Sequence, residues 1–362
     1  MAAKKTMLAA FKQKKAPTMF LSSWFKTTDR DIFRSRKAVI DIKRQKEQIA
    51  VDVVRGTGGL LVSNKRFTTK EYTPPLYDLY NSYFEEELNE RLPGGTEYDN
   101  PDYLAQIIAT ITDDQVEVQE MIMRAIEWQA ANIFVTGTVP LINGDTIDYK
   151  MKATHSLPVG TVWSNTSAAP ITNIKDACQL NRKDGLVEST VAIFGDTAWA
   201  NFLARIKADG SLNILNAELG KITMPVANAN GAVFHGEFVA GSFRLQAWTY
   251  PQYYDVPTGY GLSNEGTKQP YIPTDKVLIL PMSNAIDLRL IYAGIPELVN
   301  RKDAQLQALG IDRYPANVRG DFLPYAFTDD ERTCLKVGVR SAPLCVPTQI
   351  DGWCVINTNT AS

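Results

Sequence analysis

Thr112-Asp113-Asp114-Gln115-Val116-Glu117-Val118-Gln119-Glu120-Met121-Ile122-Met123-Arg124-Ala125-Ile126-Glu127-Trp128-Gln129-Ala130-Ala131-Asn132-Ile133-Phe134 carries the strongest local signal in the chain. Thr112 followed by Gln115 forms a capping box. Val118, Met121, Ile122, Ala125, Ile126, Ala130 and Ile133 then recur at the spacing of one helix face, with Glu117, Glu120, Arg124 and Glu127 on the other side. The roughly 22 residues from Asp113 to Phe134, at ~1.5 Å each, reach about 33 Å, long enough for a spine through a domain. A shorter helix precedes it. Asn100-Pro101-Asp102 supplies an N-cap, a first-turn proline and an acid at the positive end of the dipole, and Leu104, Ile107, Ile108 and Ile111 share a face. Asp113 and Asp114 have the composition of a catalytic carboxylate pair, but at the first two positions of a helix they complement its dipole.

Downstream, Thr138 to Tyr149 reads as a β-hairpin turning at Asn143-Gly144. Residues 156–168 read as a linker. A mixed α/β block follows, with helices over 171–180 and 196–207 and strands over 187–194, 243–250 and 276–281. Residues 251–275 are expected as a long surface loop, and 325–328 and 333–357 as strands returning to a sheet. Upstream, 65–92 is aromatic and polar, with Tyr72, Tyr77, Tyr80, Tyr83 and Phe84 around Pro74-Pro75, which blocks both a helix and a central strand. An excursion of this length and tyrosine content fits contacts with another chain, and Glu85-Glu86-Glu87 after it reads as a solvated face. Arg55-Gly56-Thr57-Gly58-Gly59 has Leu61 where a GxGxxG loop needs its third glycine, so a turn is expected there.

Residues 1–46 hold thirteen basic and three acidic side chains, a local charge of +10. The whole 362-residue chain has a formal charge of −2, so the remainder carries −12. This is a basic arm on an acidic body. Within the arm, Phe20, Trp24 and Phe25 read as anchors packing on the body of this subunit or on a neighbour.

Hydrophobic content of 44% with 22% charged residues excludes wholesale disorder. No run approaches the ~18 apolar residues of a membrane span, so a soluble chain is expected, and Lys12, Lys14 and Lys15 interrupt any signal peptide. Cys178, Cys334, Cys345 and Cys354 form no CxxC pair and read as buried free thiols in a reducing compartment. His155 and His235 lack zinc spacing, so neither a metal nor a Cys/His catalytic pair is expected. Gly195-Asp196-Thr197 stands where many α/β folds bind phosphate, yet one glycine followed by an acid suits a helix cap better. Nucleophile elbow, Walker loop, HExxH and Ca²⁺-loop patterns are missing. No catalytic, metal-binding or cofactor-binding residue is assigned, no cofactor is expected, and the role is structural rather than enzymatic.

The order of parts, with a basic arm, an excursion, a spine helix, a hairpin, an α/β domain and closing strands, resembles the Hong Kong 97-type capsid fold of tailed bacteriophages. Arg55-Gly56-Thr57-Gly58-Gly59, Thr69-Lys70-Glu71-Tyr72-Thr73-Pro74, Asn100-Pro101-Asp102-Tyr103, Phe194-Gly195-Asp196-Thr197-Ala198-Trp199 and Ala342-Pro343-Leu344 are similar to stretches of the phage lambda-like major capsid protein family (protein E), over about residues 17–357. The resemblance implies an α+β fold with an N-terminal arm (1–47) and an extended loop over a neighbouring subunit (48–95). It implies a peripheral domain (96–160 and 322–362) with its spine helix at 113–134, and an axial domain (161–321) meeting at five- and six-fold centres. The implied function is that of a major head protein assembling through pentamers and hexamers into an icosahedral shell around double-stranded DNA. Portal, scaffold and decoration proteins are its implied partners, with no membrane contact, in the virion and, during assembly, the host cytoplasm. The longer basic start and the loop at 251–275 depart from the family pattern, and no Lys/Asn crosslinking pair is matched. A cellular nanocompartment shell is the alternative, and a hydrolase built on Asp113/Asp114 or Glu85 to Glu87 a distant third. Because the aromatic anchors imply docking, the arm's charge is expected to meet the acidic body of the adjacent subunit rather than packaged DNA.

Overall fold

The structure, a computed structural model, describes residues 17–42, 68–84, 103–141, 144–208, 222–228, 230–259, 264–300, 313–329 and 334–361. Expectations for the lysines of 1–16, for 49–59, for 85–87, for 100–102 and for Asn143 lie outside those residues.

The spine is a single helix, Tyr103–Thr136, of 34 residues, or about 50 Å at ~1.5 Å per residue. The break expected at Thr112 does not occur. No glycine or proline lies between 103 and 136, and every residue of the capping box tolerates helical dihedrals, so nothing forces a restart. Asp113 and Asp114 therefore sit inside the helix rather than at a dipole end, and Asp114 accepts a hydrogen bond from the Tyr83 hydroxyl at 2.7 Å. The helix stops at Gly137, whose φ of 71° is left-handed and whose amide bonds the Ile133 carbonyl at 2.8 Å, the αL cap that glycine favours.

Along the first part of the helix only one face is covered, including Val118 and Ile122, while Met121 is exposed. From Ile126 onward the rod is enclosed: Ile126, Glu127, Gln129, Ala130, Ala131, Ile133, Phe134 and Val135 are all buried. Glu127, expected on the solvated side, is thus in the core.

Three sheets surround this rod. In the first, Tyr77–Phe84 pairs antiparallel with Cys334–Ser341, which pairs with Leu323–Asp329. The tyrosine-rich segment is therefore no excursion over this span. Its alternation sends Tyr83 toward Asp114 and the Tyr77 hydroxyl toward Gln129, at 3.0 Å, while Tyr80 and Phe84 stay exposed. Pro74-Pro75 separates it from the preceding strand, Thr68–Tyr72, as expected. In the second sheet, Phe25–Lys26 runs parallel to Leu288–Tyr292, which pairs with Pro343–Pro347.

The third sheet has seven strands in the order Ser156–Val159, Cys354–Ala361, Lys276–Leu280, Val191–Phe194, Phe243–Thr249, Val233–Ala240 and Ile222–Ala227. Both of its faces are covered. Val191, Ile193, Leu278, Leu280 and Val355 join the spine-helix core, whereas Ala192, Phe194, Val277 and Ile279 pack against the helices Pro170–Leu180 and Asp196–Ala208 through Ile174, Ala198 and Phe202. Such double burial explains the continuous apolar run at 277–280. Two of its strands, Ser156–Val159 and Cys354–Ala361, come from outside 161–321, and the expected linker at 156–168 holds a strand and the buried Trp163. The expected loop at 251–275 contains a short hairpin, Tyr253–Asp255 with Lys268–Pro270, followed by buried Tyr271 and Ile272. Among the described residues no helix is long and apolar enough to cross a membrane.

Candidate functional site

The arm's aromatic cluster is seated on its own subunit. Phe20, Trp24 and Phe25 are buried in the spine-helix core. Trp24 meets Phe20 edge-on at 5.2 Å and Phe134 at 6.3 Å, and its indole N–H donates to the Pro281 carbonyl at 3.1 Å. The backbone of this strap is held by Glu127. Its carboxylate accepts from the amides of Leu21 at 2.7 Å and Ser22 at 2.9 Å, and from the Tyr250 hydroxyl at 2.9 Å. The two amides open the 3₁₀ turn Ser22–Trp24, where backbone donors have no partner within the turn. Burial pushes the Glu127 carboxyl up, against the pull of these donors. Sequence reasoning missed this residue because a helix glutamate reads as solvated. The available signal was its place between Ile126 and the run Ala130 to Val135, which leaves little polar face for it to join.

A second feature is electrostatic. Asp29, Arg30, Ile32, Arg34 and Arg319 line an open cleft of about 640 Å³. Arg319 donates to the Asp29 carbonyl. Arg30 and Arg34 are exposed and have no ion-pair partner among the described residues, while nearby Arg289 pairs with Asp31 and Asp287. On the outer face of the first sheet, Asp78 holds both the Tyr325 hydroxyl, at 2.6 Å, and Arg340, at 2.9 Å, and Arg340 stacks over the Tyr325 ring at 4.0 Å. Burial, reinforced by Asp78, pushes the Tyr325 phenol up to about 12.

One cluster has the outline of a catalytic site. The parallel pairing of Ser156–Val159 with Cys354–Ala361 brings the Cys354 thiol to 3.3 Å from His155 Nδ1, and His155 Nε2 lies 3.4 Å from Asp184. The sequence gave no hint of this meeting. The hydrogen bonds nevertheless assign other roles. Nδ1 lies 2.7 Å from the Trp353 carbonyl, an acceptor only, so it carries the hydrogen and cannot take the thiol's proton. The thiol donates to Asn181 Oδ1 at 2.7 Å, and burial raises its pKa well out of the reactive range. All four cysteines are free and buried, as expected.

Lys152 binds Asp184 at 2.8 Å and holds its carboxyl below the usual range, helped by His155. A depressed carboxylate contributes stability above the unfolded-state pKa and loses it as pH falls through the folded one. Wild type is therefore expected to melt above Asp184→Asn at neutral pH, with the two curves converging below about pH 3. Thermal melts across that range check this.

Elsewhere the chemistry is structural. His235 bonds the Thr249 hydroxyl at 2.8 Å and lies 4.4 Å from the Trp199 ring, and burial lowers its pKa. A Cβ on Gly195 would stand 2.4 Å from the Pro273 carbonyl oxygen, so this glycine serves a close chain crossing and leaves no room for a phosphate. Among the described residues no group of three or more His, Cys, Asp or Glu is placed to hold a metal ion.

The fold has solved counterparts. A prophage protein of E. coli CFT073, described as its capsid protein, superposes with a TM-score of 0.59 at 16% identity, over 95% of this chain and 93% of that one. The SrpI encapsulin of Synechococcus elongatus PCC 7942 aligns at 0.47 with 12% identity, over 99% and 91%, and a capsid chain of cyanophage P-SCSP1u at 0.43 with 12% identity, over 98% and 91%. No curated protein matches the chain. The family model described as phage major capsid protein E matches residues 4–357, nearly the whole sequence and every element above. The chain belongs to that family, and its work is to form the shell of a phage head.

Proposed function

We propose that copies of this chain close, through pentamers and hexamers, into an icosahedral shell around the double-stranded DNA of a tailed phage. Assembly takes place in the host cytoplasm with portal and scaffold proteins, and decoration proteins join the finished head. In this reading 48–95 lies over a neighbouring subunit, 96–160 with 322–362 forms the periphery, and 161–321 surrounds the five- and six-fold centres.

The observation that carries the reading is the strap. Phe20, Trp24 and Phe25 are occupied within their own subunit, so the reason for sending the arm to a neighbour lapses. What precedes the strap is a segment with Lys4, Lys5, Lys12, Lys14 and Lys15 and no acid. A cationic tail of 16 residues reaches about 55 Å from its fixed point when extended. Sequence-independent neutralisation of phosphate suits it.

Electron microscopy of the purified protein tests the shell itself: uniform icosahedral particles are expected, and a monomer with turnover would overturn the reading. Particles that purify around an enzyme cargo would favour a nanocompartment instead. Deleting residues 1–16 tests the tail. Shells are expected to form normally, while the salt slope of DNA retention drops by about 4, one unit per lost phosphate contact. Loss of shells in the absence of DNA would return the tail to a subunit interface.

A further inference from the structure

The strand Leu323–Asp329 has chemically opposite ends. Four residues before it stands Arg319, in the cleft with Arg30 and Arg34. At its other end Asp329 is opposite Cys334, and Cys334 is in turn opposite Phe84. The chain runs from Asp329 into Asp330-Glu331 and from Phe84 into Glu85-Glu86-Glu87. Register therefore starts two acidic runs side by side at one end of the sheet, about 20 Å along a seven-residue strand from its basic end.

We infer that the arginine cleft of one copy receives the acidic sheet end of the next, a head-to-tail contact within the rings of the shell. The inference rests on the shell-forming reading and names the surfaces it uses. Three features support it. Arg30 and Arg34 are exposed and lack a carboxylate among the described residues, and planar guanidinium groups bind carboxylates through paired N–H donors. Each copy carries one cleft and one acidic end on different surfaces, which is the requirement for a heterologous contact that repeats around a closed ring. The rim is of mixed sign, since Asp29 lines the cleft and Asp31 and Asp287 share Arg289 beside it. A groove that tracks a phosphate backbone is uniformly cationic, whereas a rim of both signs fits a protein surface and fixes its register.

The test is a charge swap in the full-length chain. Arg30→Glu with Arg34→Glu reverses the cleft, and Glu85→Lys with Glu86→Lys and Glu87→Lys reverses the partner. Subunit folding is followed by circular dichroism, and the assembled fraction by sedimentation and electron microscopy. Each one-sided variant is expected to fold and to lose at least tenfold in assembled fraction, and the five-fold combination to regain at least half of the wild-type fraction. The neutral pair Arg30→Gln with Arg34→Gln adds no repulsion, and is expected to flatten the salt dependence of assembly. Normal shells from the reversed cleft, or no rescue in the combination, would overturn the contact. Normal shells that lose DNA would overturn it too, by assigning the cleft to phosphate. Wild-type chains that form no shells would be a different failure, that of the shell-forming reading itself.

Discussion

Glu127→Ala is expected to lower folding stability by about 3 kcal/mol and to release the strap from the spine helix. The substitution leaves the Leu21 and Ser22 amides and the Tyr250 hydroxyl without their acceptor. Each orphaned buried donor costs ~1–3 kcal/mol, and the sum is reduced because the cost of burying a carboxylate disappears with it. Denaturant unfolding measures the loss, and hydrogen exchange at Leu21 and Ser22 locates it. Exchange as slow as in wild type would mean that something other than Glu127 holds the strap. Glu127→Gln keeps one acceptor oxygen but turns an NH₂ group toward a donor, and should cost about 1–2 kcal/mol. Its pH dependence has the opposite sign to that of Asp184. Burial raises the Glu127 pKa, so its contribution is fullest below the ordinary carboxylate range and is lost as pH rises through the folded value. The gap between wild type and Glu127→Gln should therefore narrow between about pH 4 and about pH 8.

Trp353→Ala is expected to cost about 4 kcal/mol, within the range for removing a large buried aromatic side chain. Trp353 is fully buried and meets Phe134 edge-on at 5.6 Å. Its indole N–H donates to the Phe134 carbonyl at 3.1 Å. That carbonyl belongs to the last turn of the spine helix, where no amide within the helix is left to pair with it. The substitution thus removes packing and uncaps a helix end at once. Trp353→Phe retains most of the ring and loses the donor, and should cost about 1–2 kcal/mol. Urea midpoints at unchanged slope check both values, and a loss below about 1.5 kcal/mol for the alanine variant would show that the pocket closes over.

What the sequence reveals here divides along the distinction between local and distant. The apolar stripe of Val118, Ile122, Ile126, Ala130 and Ile133 is a local period, and it correctly places the spine. The unbroken run at 277–280 announces a strand covered on both faces, and the anchors Phe20, Trp24 and Phe25 are legible because a cationic tail has no other use for them. The capping box at Thr112 misleads because a cap signal states where a helix can begin, not that one must end there. Tyr77–Phe84 reads as an excursion because its partner, Cys334–Ser341, lies some 250 residues away. The same distance hides the meeting of Cys354 with His155. The acidic runs at 85–87 and 329–331 look like unrelated solvated faces until register sets their origins together.

Glu127 and Gln129 have one more consequence. They are two positions apart, and at ~100° per residue they point to nearly opposite sides of the rod. One grips the strap, while the other holds the Tyr77 hydroxyl at 3.0 Å, the Pro343 carbonyl at 3.3 Å and the Cys345 amide at 3.2 Å. A shaft keyed on both sides has a single rotational setting, since rolling it by even one residue would break both grips together. Any change of shape that a closing shell demands of its subunits must then be met by bending the shaft or by swinging the parts that hang from it.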